Sequence, residues 1–179
     1  MKPSMQHLAG RSLRRAALAI ALLAGGAVQA DDIVTNVNLG GDVPGVLSGG
    51  FGVTHLESGA FEDRIHLSPT SGSWFVDSSI ITVGLQPATN LDFTAADING
   101  YAMTLTAPGI FEYGSLIGQG PITGPLVLTV HGNVQGIGGV ASASYGGTVN
   151  ISPIPEPSTG AMLLAGMGLV AYISRRRRN

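Results

Sequence analysis

Short alternating apolar stretches, cut every few residues by Gly, Pro, Asn or Ser, dominate the middle of this chain and leave little room for helix. Neighbouring side chains in a strand point to opposite faces, so period-two alternation is what a half-buried strand requires. The spacing predicts strands over Ile33 to Leu39, Gly59 to Leu67, Trp74 to Leu85, Tyr101 to Ala107, Leu126 to Val134 and Ser142 to Ile151. Asn99-Gly100 and Gly146-Gly147 fit turns or bulges. Roughly six to nine strands in one unit predict an all-β fold, an antiparallel sandwich or jelly-roll-like domain over residues 31–152. Cysteine is absent, which excludes disulfides, thiolate metal sites and a cysteine nucleophile. Such a body relies on packing and hydrogen bonds alone.

The stretch "AFEDRIHLS" is the most informative part of the body. As a strand it puts Phe61, Asp63, Ile65 and Leu67 on one face and Glu62, Arg64 and His66 on the other. The second face is an ordinary solvated one. The first sets a carboxylate among apolar neighbours, where an unpaired charge is costly. Asp63 therefore has to accept hydrogen bonds, lie at the rim of the strand, or coordinate a cation.

The two ends differ from the middle. Lys2, Arg11, Arg14 and Arg15 precede an apolar run from Ala16 to Val28, and Arg175, Arg176, Arg177 and Arg178 follow a second apolar run. Arg64 is the one remaining base, against eleven acids between Asp31 and Glu156. A body of that charge repels nucleic acid and anionic surfaces, so nucleic acid is excluded as a partner. Residues 1–30 read as a signal peptide for the general secretory machinery. The first apolar run is too short to span a bilayer, and Val28-Gln29-Ala30 offers signal peptidase small residues before a cut between Ala30 and Asp31. At the other end, Ser158 to Ser174 carries no charge. It predicts a single C-terminal transmembrane helix at the short end of the usual range, with the four arginines as a cytoplasmic stop-transfer cluster. Pro155-Glu156-Pro157 stands just outside it, held extended by its prolines.

The order Pro-Glu-Pro, short apolar span, arginine cluster, chain end resembles the PEP-CTERM sorting signal of Gram-negative bacteria, over residues 153–179. The resemblance implies recognition of Pro155, Glu156 and Pro157 by exosortase, an integral-membrane enzyme proposed to cleave such proteins. It also implies an exported surface or matrix protein, often tied to exopolysaccharide and biofilm. Phe61-Glu62-Asp63-Arg64-Ile65 is similar to the motif of the FxDxF family of PEP-CTERM proteins, with Ile65 in place of the last Phe. Tyr145-Gly146-Gly147-Thr148 is similar to that family's closing strand. No catalytic residue carries over from either resemblance.

The residues themselves offer no catalytic constellation. A Gly-x-Ser-x-Gly elbow is missing, and His55, His66 and His131 lack close metal-ligand spacing. Gly136 to Ala141 mimics a dinucleotide fingerprint but runs into strand rather than helix. Asp97-Ile98-Asn99-Gly100 lacks the acidic ligands of a calcium loop and reads as a turn. The expectation is a non-catalytic exported protein without cofactor or metal, located in the inner membrane before processing and at the cell surface or in the matrix afterwards. The alternative is a carbohydrate- or calcium-binding module of the matrix, with Trp74, Phe75 and Tyr101 as stacking surface.

Overall fold

The structure, a computed structural model, describes residues 29–41, 45–68, 71–154 and 157–176. Among the described residues ten strands and one α-helix follow in chain order: β1 (Val34–Asn38), β2 (Leu47–Glu57), β3 (Gly59–Ser68), β4 (Ser73–Val83), β5 (Leu91–Ile98), β6 (Tyr101–Ala102), β7 (Thr104–Leu105), β8 (Phe111–Thr123), β9 (Val127–Val134), β10 (Val140–Pro153) and α1 (Pro157–Arg176). They form two five-stranded sheets. The first has the order β1-β3-β9-β5-β6 and the second β2-β10-β4-β8-β7. Every pairing is antiparallel except β1 with β3, a departure from the purely antiparallel expectation.

The expected alternation governs β3. Phe61, Asp63, Ile65 and Leu67 are buried, whereas Arg64 and His66 are exposed. Its inward residues meet Leu128, Val130 and Val134 of β9, Leu91, Phe93 and Ile98 of β5, and Val149 and Ile151 of β10 in one apolar cluster shared by both sheets. Outside, Arg64 pairs with Glu62, and His131 of β9 stands 4.0 Å from the same carboxylate. That cluster is solvated, and exposed ion pairs contribute little to stability.

Three strands escape the pattern, each for a visible reason. β2 reads "LSGGFGVTHLE", and only Val53 and His55 are buried. A bulge in β5 between Phe93 and Ala95 switches its inward set from Leu91 and Phe93 to Ala96 and Ile98, so no steady alternation survives. β8 buries Glu112, Gly114, Leu116 and Ile122, but an acid and a glycine inside that set and the exposed Ile117 mask the alternation in the sequence. The expected strand Tyr101 to Ala107 is two strands. The chain pairs with β5 through Tyr101–Ala102, passes the buried Met103, and joins β8 in the other sheet at Thr104–Leu105. Gly146-Gly147 is not a turn but the middle of β10, whereas Asn99 (φ 50°) and Gly100 (φ 85°) do make the tight turn between β5 and β6.

Gly132 of β9 stands opposite Phe61 of β3. A Cβ there would lie 2.5 Å from the Phe61 ring and 2.8 Å from the Asp92 carbonyl oxygen. The missing side chain is the space that the aromatic ring fills. Gly132→Ala is expected to destabilise the body by roughly 1–3 kcal/mol through overpacking. A urea denaturation midpoint unchanged from wild type would refute this.

Candidate functional site

Two regions of the chain carry chemistry: a buried polar cluster between the sheets, and the C-terminal segment. The cluster is built on Asp63, which is fully buried. Strand alternation aims it inward, and three donors from three segments meet its carboxylate. The Ile33 backbone N–H, just before β1, donates to Oδ1 at 2.8 Å. The Tyr145 hydroxyl, on β10, donates to Oδ2 at 2.7 Å. His55 Nε2, on β2, lies 3.0 Å from the same oxygen. The carboxylate oxygen is the acceptor in this contact, so Nε2 is the donor. Nδ1 is buried without a hydrogen-bond partner.

Aromatic rings enclose the cluster. His55 stacks on Phe61 at 4.3 Å between centroids, and Phe93 meets Tyr145 edge-on at 5.5 Å. Burial pushes the Tyr145 phenol above its ordinary range, and the neighbouring Asp63 charge adds to that shift. The phenol thus stays protonated and remains a donor. Asp63 satisfies the first of the sequence alternatives, since its carboxylate is held by protein hydrogen bonds. A cation would have to displace these donors. Phe61 and Ile65, at 4% and 0% exposure, flank it as core residues.

Glu112 forms a second buried carboxylate site, which the sequence did not single out. Its Oε2 accepts the Phe93 N–H at 2.8 Å, and Oε1 accepts the Gly109 N–H at 3.0 Å. It therefore ties β8 to β5 of the opposite sheet. Burial raises its pKa, nearby Asp92 adds to the rise, and the two backbone donors oppose it. The pattern "GIFEYG" gave the sign, an acid flanked by apolar residues, but the strand around it was not recognised.

The remaining predicted groups stay apart. His66 is exposed on β3, and among the described residues no group of three metal-ligating side chains forms. Trp74 and Phe75 are consecutive in β4 and face opposite ways, and Tyr101 belongs to the other sheet. They form no common stacking platform. An open groove of about 280 Å3 lies instead beside Gly84, Leu85, Gln86, Asn90, Ile110 and Gln135.

At the amino-terminal side, residues 1–28 lie outside the described residues. Ala30 is buried, and its N–H donates to the Ala60 carbonyl at 2.9 Å, while Asp31 is exposed. The Ala30–Asp31 bond thus runs along β3.

At the other side β10 continues to Pro153, paired with Trp74, and the Ile154 N–H still donates to the Ser73 carbonyl at 3.2 Å. Pro155 and Glu156 lie outside the described residues, as do Arg177 and Arg178. Pro157 opens α1, and Arg175 and Arg176 are exposed at its end. The expectation of a transmembrane helix is corrected: among the described residues no helix is long and apolar enough to cross a membrane. The first turn of α1 is Pro-Ser-Thr-Gly, and Arg175 closes the far side. The apolar stretch between, Ala161 to Ile173, is about 20 Å long against a hydrocarbon core of about 30 Å. Met162, Leu163, Leu164, Met167, Leu169 and Val170 are nonetheless all exposed.

Two outcomes are expected from the buried carboxylates. Tyr145→Phe removes one charge-assisted bond and is expected to cost about 1.5–3 kcal/mol. Asp63→Ala strands three donors and is expected to cost more, and the double variant should fall well short of the sum. Additive losses in chemical denaturation would show that the three groups do not act as a unit. Because the folded pKa of Glu112 is raised, its stabilising contribution is complete below its ordinary value of 4.5 and is lost as pH rises through the folded value. The stability of wild type relative to Glu112→Gln should therefore fall from acid to neutral pH. Parallel melting curves with a pH-independent gap would contradict this.

No curated protein and no solved structure matches the chain. Residues 153–178 match the family model of the PEP-CTERM protein-sorting motif, the motif that exosortase recognises, and the chain carries that signal at its C-terminus.

Proposed function

We propose that this chain is a non-catalytic surface or matrix protein, exported through its leader, cleaved by exosortase at the Pro155-Glu156-Pro157 signal, and retained with exopolysaccharide. The observation that carries the reading is the match over residues 153–178, which implies export and membrane-associated processing. The exposed apolar side chains of α1, with no protein surface against them among the described residues, suit lipid. Arg175 and Arg176 at its end suit anionic headgroups.

The body supports a structural role. Its two buried carboxylates are engaged by backbone and side-chain donors rather than aimed at an open cleft. The groove beside Gln86, Asn90 and Gln135 presents neutral amides between Leu85 and Ile110, a chemistry that suits uncharged sugar hydroxyls. The acidic balance of the body disfavours binding to anionic polymers and keeps released copies apart.

Intact mass spectrometry of the protein recovered from membrane, cell surface and medium tests the reading. The expected surface species begins at Asp31 and ends close to Glu156, and it moves to the medium in cells that make no exopolysaccharide. Recovery of an extracellular form with the complete arginine tail would count against processing. Retention unaffected by loss of exopolysaccharide would remove that part of the proposal.

A further inference from the structure

Two exposed glycines of β2 are not required by the fold. A Cβ on Gly50 would meet nothing closer than 3.7 Å, and one on Gly52 nothing closer than 3.9 Å. Neither takes the left-handed backbone that favours glycine. Packing and backbone thus both allow a side chain where the sequence places none. Glycine inside a strand weakens it and marks a place where a ligand or another backbone comes close. Strand register shows what surrounds the gap on the outer face of the second sheet. Gly50, Thr148, Ser79 and Ser115 form one row across the strands, and Gly52, Gly146, Ile81 and Tyr113 form the next. Thr54 with Ser144, and Val83 with Phe111, follow about 7 Å further along.

The floor left by Gly50, Gly52 and Gly146 has hydroxyls on two sides and an apolar ledge on the third. Thr54 Oγ1 lies 2.8 Å from Ser144 Oγ, and Ser79 Oγ lies 3.0 Å from Thr148 Oγ1. Each hydroxyl pair uses one O–H between its members and keeps the other to donate, with lone pairs left to accept. The ledge consists of Ile81 and Val83 of β4 opposite Tyr113 and Phe111 of β8, all four exposed. Beyond Val83 and Phe111 it adjoins the open groove: the Gly84 N–H donates to the Ile110 carbonyl at 2.8 Å, and both residues line it. None of the floor, hydroxyl or ledge residues is charged. Asp77 stands one row beyond Ser79, with an oxygen taken by the Gly118 N–H, and Glu57 ends β2. The sequence between Asp31 and Glu156 sets one arginine against eleven acids, so an anionic polymer or a second copy of the chain is repelled. A neutral, hydroxyl-rich chain is not. Its hydroxyls match the Thr and Ser pairs, and its C–H faces match the two aromatic rings.

We propose that this face binds a neutral polysaccharide, with one sugar unit on the glycine floor and its neighbours stacked along Tyr113 and Phe111 toward the groove. The site rests on the reading of the chain as a protein retained with exopolysaccharide, and it names the surface and the charge class that retention uses. It moves the stacking surface from Trp74, Phe75 and Tyr101 to Phe111 and Tyr113.

Affinity electrophoresis tests the site. The chain, purified from its cells in mild detergent, runs through native gels cast with the extracellular polysaccharide of the same cells. That polysaccharide is first divided on an anion exchanger into a neutral and an acidic fraction. The neutral fraction should retard the chain. Retardation should weaken several-fold in the Phe111→Ala, Tyr113→Ala double variant and in Gly52→Val. Valine suits a strand better than glycine, so Gly52→Val fills the floor without unfolding the body, and its urea midpoint should equal or exceed that of wild type. The exposed aromatic positions give a second variant set that does not depend on this. Retardation unchanged in both variants would overturn the site and leave retention by polysaccharide intact. Retardation by the acidic fraction alone would overturn the charge class, again with retention intact. No retardation by either fraction would overturn both the site and the retention. A dimer in sedimentation that is lost in Gly52→Val, without any retardation, would assign the face to a second copy instead.

Discussion

The carboxylate of Asp63 is the constraint around which the two sheets are arranged. It lies in the apolar core, where an ionised acid is tolerated only when its oxygens are fully engaged. The donors come from the segment before β1, from β2 and from β10. Two of these strands belong to the opposite sheet from Asp63 itself. A slip of one residue in β2 or β10 would turn His55 or Tyr145 outward and leave the charge without a partner. The cluster therefore selects one register and one facing of the sheets, which apolar packing alone specifies less sharply. Glu112 repeats the device at a second point, with backbone N–H groups in place of side-chain donors. In a chain without cysteine, these two clasps do what a disulfide does in many exported domains.

The same economy shows in the glycines. Gly132 leaves the space that Phe61 fills, and the Phe61 ring in turn stacks on His55. Gly147, in the middle of β10, allows close approach to Ser79 of β4 and to the Phe51 ring. Glycine here is less a breaker of strands than a means of bringing aromatic rings over a neighbouring backbone. The large inward groups thus gather around Asp63 and shield it from water, which strengthens its hydrogen bonds.

The C-terminal signal follows the body closely in the chain: Ile154 is hydrogen-bonded to Ser73, and α1 begins at Pro157. β10 lies inside its sheet, paired on both sides, and runs directly toward the sorting motif. Folding of the body therefore fixes where the signal begins. Between the last residue hydrogen-bonded to the body and the apolar helix stand Pro155 and Glu156 of the signal. The helix itself is modest: its apolar part is shorter than a bilayer core, and its exposed side chains face no protein surface among the described residues.

The sequence by itself determined the class and the address. Alternation in "AFEDRIHLS", the absence of helix signals in the body and the Pro-Glu-Pro, apolar and arginine order at the end are local patterns, and local patterns are written directly in residue spacing. It also singled out Asp63 as an acid set among apolar neighbours by strand alternation, to be hydrogen-bonded, placed at the rim or bound to a cation. It could not supply those partners. His55 is eight residues away and Tyr145 eighty-two, and no spacing rule connects them. β2, β5 and β8 were hidden for a related reason: glycine-rich sequence and bulges erase the period of two, and their strand character comes from the neighbours they pair with. Tyr101 to Ala107 looked continuous, yet the crossing at Met103 is decided by which sheet edge is free to accept each half. The contacts that face one another across the core are relations between distant segments. Only the folded structure, where hydrogen bonding and packing act at short range in space, brings them into being.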